Sequence, residues 1–331
     1  MKAKHPLRIV AMGKYLPKKV MSSEIEEKLN IPQGWAMKYS GVESRHQVTF
    51  EHNDYMGARA AEKALEKAKM TLADIDMIIA AGGSFDYIIP NQASVIKNEM
   101  KDGDKHHPAS IDIDSTCLSF IAALNMSARM LDGEQYKNIL IVSTEISSKH
   151  LNPDNWETST LFGDAAVAAV VQYAPDSGSH LIKGGQRTYS KGVKNTIIEG
   201  GGSKHPFSTT PYDVEMHSFK MNGKQLLRMA KNKIPEFMNW FFEDVPYDFE
   251  SVPVIIPHQA SKMGLVITES LYNLKDGQLK STLRQYGNCI AASIPLTLHD
   301  CIESGDVKRG DVCLLSGTSA GFSIGGVLLK Y

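Results

Sequence analysis

Short apolar runs alternate along the chain with stretches of helical period. In NDYMGARAAEKALEKAKM (53–70) apolar positions recur every three or four residues with charge on the opposite face, which predicts an amphipathic helix. TLADID then leads into MIIAAGG from Met77, an apolar run closed by glycines that predicts a buried strand. Repetition of strand, helix and strand predicts an α/β protein. At 111–124, IDIDSTCLSFIAAL, a strand-like run breaks at Ser115–Thr116–Cys117 and becomes at once an Ala-rich helix.

The order of elements recurs. In the first half the strand from Met77 precedes STCLSFIAALNMSARML, and a second strand, NILIVSTE, follows from Asn138. In the second half VIIPHQA from Val254 precedes YGNCIAASIPLTLHDCIE, and VCLLSGTSAG follows from Val312. The intervals between strand starts are 61 residues (77 to 138) and 58 residues (254 to 312). Near-equal spacing with the same order predicts a duplicated α/β unit. QYAPDSGSH, from Gln172, supplies the turn residues of a boundary, which divides the chain into halves at 1–175 and 176–331.

Composition narrows the functional classes. A chain of 331 residues, 42% hydrophobic and 22% charged, suits a soluble protein with two core-sized units. Its net charge of −1 supplies no global pull toward nucleic acid or membrane. Apolar runs such as AAVAAVV (165–171) are too short to span a bilayer, and the start lacks the apolar segment of a signal peptide, so a cytoplasmic location is expected. Cys117, Cys289, Cys301 and Cys313 match neither a zinc spacing nor CxxC, so a reducing compartment and no metal site are expected. No GxGxxG follows a strand, which argues against a dinucleotide enzyme.

Three residues carry candidate chemistry. Cys117 stands where a strand meets a helix, and backbone N–H groups with the positive helix end there favour thiolate over thiol. By position alone a buried structural cysteine is an equal alternative. His258 follows the strand VPVII in PHQAS, placed to project into a cleft between the halves; a lone histidine there is more often a satisfied structural residue. Asn288 precedes the Ala-rich helix of the second half, at the point equivalent to Cys117 in the repeat, where the simplest role is a helix N-cap.

The stretches DSTCLSFIAAL, VSTEISS, FGDAAVAAVV, PHQAS, YGNCIAASIPLTL and GTSAGFSIGG, in that order along the chain, resemble the β-ketoacyl-ACP synthase III enzymes of the thiolase superfamily. The resemblance implies a five-layer αβαβα sandwich of two pseudo-equivalent halves and a homodimer. It maps a nucleophile onto Cys117 and enolate-stabilising donors onto His258 and Asn288. A backbone oxyanion hole falls at Cys117 and Ala320. The implied reaction loads an acyl starter onto Cys117 and condenses it with malonyl-ACP by decarboxylative Claisen chemistry, in fatty-acid or polyketide-type biosynthesis. Acyl-CoA and acyl carrier protein are then the substrates, with no permanently bound cofactor. The alternative is acyl transfer to an oxygen, nitrogen or preformed carbon nucleophile without decarboxylation.

The resemblance also points to the rim. Trp35 matches a residue that stacks on the CoA adenine, with Trp156 beside it, while Tyr39 and Trp156 stand where the family has arginines. Ser261 replaces an asparagine, Met263 replaces a rim arginine, and Ser319, Ala320 and Gly321 replace a triple glycine. If residues 221–233 are helical, Lys224, Arg228 and Lys231 share one face, and Lys224 and Arg228 are expected to dock the acidic carrier protein. Ile89, in place of an aromatic residue, is expected in the acyl pocket, reaching across the dimer toward the partner's nucleophile.

Overall fold

The computed structural model describes residues 5–331 and, of Leu271, the backbone alone. Two sheets form its frame. From edge to edge the first contains Leu7–Tyr15, Ala165–Tyr173, Asn138–Glu145, Met77–Ala81 and Ala109–Ile113. The second contains His180–Thr188, Ser323–Lys330, Val312–Ser319 and Val254–Pro257. In each sheet the first two pairings are antiparallel and the next is parallel. The parallel pairing of Met77–Ala81 with Ala109–Ile113 is reduced in the second sheet to a single parallel bridge between Ile255 and Leu279. The two sheets are thus wound alike, as the spacing of the repeat predicts.

Both faces of the central strands are covered, which explains their nearly unbroken apolar sequences. Met77, Ile79, Ile139 and Ile141 point to a middle cluster, whereas Ile78, Leu140 and Val142 point to an outer one. In the second sheet Cys313 and Leu315 face the middle, and Leu314 and Leu328 face outward. The middle layer is a pair of twelve-residue helices, Ser119–Met130 and Ser293–Ser304, whose Phe120, Leu124, Ile294 and Leu298 fill the space between the sheets. Helices Asn53–Ala68 and Gln92–Glu99 cover the first sheet. Gly223–Phe242 covers the second through Phe237, Met238 and Phe241. The result is a five-layer α/β/α/β/α sandwich.

This stacking points the N-termini of the two middle helices toward each other's half. A short 3-10 turn precedes each helix, Thr116–Leu118 in one and Ile290–Ala292 in the other. Cys117, in the first turn, and Asn288, two residues before the second, enter a common space.

Candidate active site

The turn before the first middle helix is held by side chains. Asp114 Oδ1 accepts the Thr116 N–H at 2.8 Å, and the Ser119 hydroxyl accepts the Ser115 N–H at 2.9 Å. Thr116 takes a left-handed φ of +48°, a strained state for a β-branched residue, and this sharp turn presents Cys117 to a cavity. The second half repeats each contact. Asn288 Oδ1 accepts the Ile290 N–H at 2.9 Å, Ser293 Oγ accepts the Cys289 N–H at 2.9 Å, and Ile290 has a φ of +47°. The counterpart of Asn288 is therefore Asp114, and that of Cys117 is Ala291. This corrects the pairing of Asn288 with Cys117 that the order of motifs implies.

Asn288 is more than an N-cap. Its oxygen is committed to Ile290, so its amide N–H groups are the free donors toward the cavity. Its backbone is tied on both sides to the segment around Phe162, donating to Leu161 at 2.9 Å and accepting from Gly163 at 3.1 Å.

His258 follows the last residue of the strand Val254–Pro257 and donates its backbone N–H to the Ser316 carbonyl at 2.8 Å. Gly317 lies against it so closely that a Cβ there would sit 2.5 Å from the His258 Cβ. Gln259 explains part of the PHQAS motif. Its amide donates to the Pro257 carbonyl at 2.8 Å, while its oxygen accepts from the Ser281 hydroxyl and the Leu283 N–H. Ser261 caps the helix Lys262–Leu271 through the Gly264 N–H at 3.1 Å. His258 Nδ1 is buried without a partner.

Cys117, His258, Asn288 and Ala320 meet on the wall of one cavity of about 610 Å³. Burial pushes the Cys117 thiol up to about 12, the nearby Glu145 and Asp114 charges add to the rise, and the N–H groups of Ala320 and Cys117 oppose it. The shift favours the thiol, opposite to the thiolate that the helix end alone favours, because desolvation and two carboxylates exceed what the Ala320 and Cys117 N–H groups return. Burial also lowers His258 to about 4, leaving a neutral imidazole at pH 7. Cys289, Cys301 and Cys313 are buried and do not line this cavity.

Sequence reasoning overlooks Glu145. It ends the strand Asn138–Glu145 fully buried, accepting from the Gly83 N–H at 2.8 Å, from the Ser84 hydroxyl at 2.6 Å and from the Ala291 N–H. Burial raises its carboxyl to about 7. The one signal was a glutamate closing a strand built on the apolar run ILIV, in NILIVSTE.

The remaining expected residues lie around the site. Trp35 packs against Tyr39 and Trp156 at centroid separations of 4.7 and 6.0 Å, forming an aromatic cluster outside the cavity lining. Lys224, Arg228 and Lys231 are exposed on the helix Gly223–Phe242 and make no ion pair among the described residues. Met263 is exposed at the cavity mouth. Ser319 and Ala320 keep negative φ, so the loop that brings the Ala320 N–H to Cys117 needs glycine only at Gly321, with φ +77°. Ile89 lies outside the cavity lining of this chain and is 80% exposed, next to exposed Tyr87 and Ile88.

Two family models match the chain, 3-oxoacyl-[acyl-carrier-protein (ACP)] synthase III over residues 111–189 and its C-terminal counterpart over residues 243–331. A β-ketoacyl-[acyl-carrier-protein] synthase III of Vesicomyosocius okutanii is 29% identical over 328 residues, covering 98% of both chains. The crystal structure of 3-oxoacyl-[acyl-carrier-protein] synthase III from Aquifex aeolicus superposes with a TM-score of 0.87 at 26% identity, over 98% of this chain and 100% of that one. The priming β-ketosynthase of the R1128 polyketide pathway shares the fold, with a TM-score of 0.86 at 22% identity over 99% of this chain and 97% of its own.

Proposed function

The chain belongs to the 3-oxoacyl-[acyl-carrier-protein] synthase III family, and from that premise we propose how its residues divide the work of an acyltransferase that condenses an acyl starter with malonyl-ACP. The observation that carries the division of roles is the convergence of Cys117, His258, Asn288 and the Ala320 N–H on one cavity, each from a separate segment.

In the first half-reaction the Cys117 sulfur attacks the thioester carbonyl of an acyl-CoA. Its proton passes by way of neutral His258 to the departing CoA sulfur. The carbonyl oxygen gains negative charge, and the Cys117 and Ala320 N–H groups stabilise it. One thioester replaces another, so the step is nearly balanced in energy.

In the second half-reaction malonyl-ACP loses carbon dioxide. The electron pair of the breaking C–C bond moves onto the thioester oxygen, where the Asn288 amide and the His258 ring donate hydrogen bonds. The enolate carbon attacks the acyl carbonyl, a C–C bond forms as the acyl–sulfur bond breaks, and the departing Cys117 thiolate takes a proton from water to become a thiol again. Thiol, imidazole, amide and backbone donors account for each step, so the scheme calls on no resident cofactor.

The rim completes the reading. Trp35 and Trp156 stack on the CoA adenine. Lys224 and Arg228 meet the acidic carrier. The exposed Tyr87–Ile89 loop joins two copies as a homodimer, with Ile89 reaching the partner's acyl pocket. No helix among the described residues is long and apolar enough to cross a membrane, and we place the enzyme in the cytoplasm with its carrier. Intact-protein mass spectrometry with acyl-CoA, followed by malonyl-ACP, tests the scheme: an acyl adduct on Cys117 should form and then disappear as carbon dioxide is released. A stable adduct that malonyl-ACP never consumes would contradict it.

A further inference from the structure

We infer that the cavity has a second arm, past the reacting residues, that takes the hydrocarbon chain of an acyl thioester within a single protomer. This rests on the acyltransferase reading above and specifies its substrate.

The arm is built from a stripe and a sheet. Leu226, Ala230, Ile234 and Met238, four residues apart on the helix Gly223–Phe242, all turn into the cavity. Phe322 and Ile324 of the second sheet's loop and strand form the facing wall, each 1% exposed. Phe249 and Tyr272, with ring centroids 4.2 Å apart, also line it. Cavity residues at the mouth differ: Ile198, Leu227 and Met263 are 40, 44 and 61% exposed. One part of the cavity therefore opens to solvent and another is enclosed.

The lining selects the ligand class. No Asp, Glu, Lys or Arg lines the cavity among the described residues. In the arm, the Thr268 hydroxyl is already engaged by the Gly264 carbonyl at 2.9 Å, and the Tyr272 hydroxyl is a single unpaired polar atom. An enclosed apolar hole left empty destabilises a fold, and a hydrocarbon relieves that loss. From residue 226 to residue 238 the helix rises roughly 18 Å. An extended hydrocarbon advances roughly 1.3 Å per carbon for tetrahedral carbons about 1.5 Å apart, so the stripe accommodates a chain of up to about fourteen carbons.

The chain belongs either to the acyl group on Cys117 or to the tail of the incoming thioester, and two arms of one experiment separate them. Loading of wild type, Ala230→Phe and Ile234→Ala is followed by intact-protein mass spectrometry with acetyl-, octanoyl- and dodecanoyl-CoA. Acetyl-loaded enzyme is then offered malonyl-CoA or 2-decylmalonyl-CoA. A chain on Cys117 predicts that Ala230→Phe lowers the dodecanoyl-to-acetyl loading ratio at least tenfold and that Ile234→Ala raises it. A tail on the second substrate predicts the same shifts in the decylmalonyl-to-malonyl ratio instead. Unchanged ratios in both arms, for both variants, overturn the inference. A wild type that takes no acyl group on Cys117 from any CoA overturns the acyltransferase reading itself.

Discussion

Asp114 and Asn288 hold the same place in the two halves of the molecule. The side-chain oxygen of each accepts the N–H two residues ahead, at 2.8 and 2.9 Å, and each of those residues has a φ near +48°. A β-branched residue in that conformation is strained by about 1–3 kcal/mol, and the side-chain oxygen helps to hold it. The chemistry then diverges. An ionised aspartate has no donor left, whereas an asparagine keeps two N–H bonds for a substrate oxygen. One half supplies the nucleophile next to its aspartate, and the other supplies the donor.

Replacing Asn288 by the residue of its counterpart isolates that donor. Asn288→Asp keeps an oxygen for the Ile290 N–H but removes the amide N–H and adds negative charge near a developing enolate. Condensation by pre-acylated enzyme should fall by about 10²–10³, well beyond any change in loading. Single-turnover assays of both half-reactions measure the split, and equal losses would remove Asn288 from the enolate.

Cys117 should be the only cysteine to carry an acyl group or an iodoacetamide label. Cys289 is its nearest rival in sequence context, yet it is buried and its Sγ lies 3.4 Å from the Tyr286 carbonyl. Peptide mapping after acylation checks this, and a mark on Cys289 would reassign the nucleophile.

Glu145 should give the protein a pH-dependent weakness. Its carboxyl rises from 4.5 to about 7 on folding, so between those values the folded state binds more protons than the unfolded one. Stability from this group is full below pH 4.5 and is lost as pH rises through 7. His258, lowered from 6.5 to about 4, acts in the opposite sense, its contribution being lost as pH falls through 4. Glu145→Gln keeps His258 and removes only the first effect. Its stability relative to wild type should therefore grow by on the order of 3 kcal/mol across the Glu145 window. Urea midpoints at pH 4.5 and 7.5 read this directly, and a pH-independent difference would show that Glu145 does not titrate there.

Gly317→Ala tests how tightly His258 is placed. The added Cβ meets the His258 Cβ at 2.5 Å, so the PHQAS segment or the strand must shift. A stability loss of about 1–3 kcal/mol is expected, with a fall in condensation rate. Thermal melting and turnover measure the two effects. Wild-type values for both would mean that this contact does not position the imidazole.

Arg228→Glu should lower the use of malonyl-ACP relative to malonyl-CoA, since only the carrier brings an acidic surface. The gap should narrow as salt screens exposed charges. Competition assays at low and high ionic strength report the ratio, and equal loss with both donors would point away from carrier docking.

Much of the frame was legible because it is encoded locally. The strands starting at Met77, Asn138, Val254 and Val312 begin where the apolar runs begin, and the helix expected over 53–70 runs from Asn53 to Ala68. Their periods depend on a few neighbouring residues and on both sheet faces being covered. The strand-to-helix break likewise places Cys117 by short-range chemistry, through Asp114, Ser115 and Ser119.

The sequence by itself determined the α/β class, the duplication and the three motifs that present Cys117, His258 and Asn288. Only the tertiary structure decided what surrounds them. Glu145 and Ala291 are far apart in the chain and meet because the two middle helices pack between the sheets. The thiol form of Cys117 follows from that enclosure, since desolvation depends on every segment that excludes water and leaves no local signature. The enclosed arm beside Ala230 has the same origin: a stripe of apolar residues reads as ordinary core until the facing sheet leaves space against it.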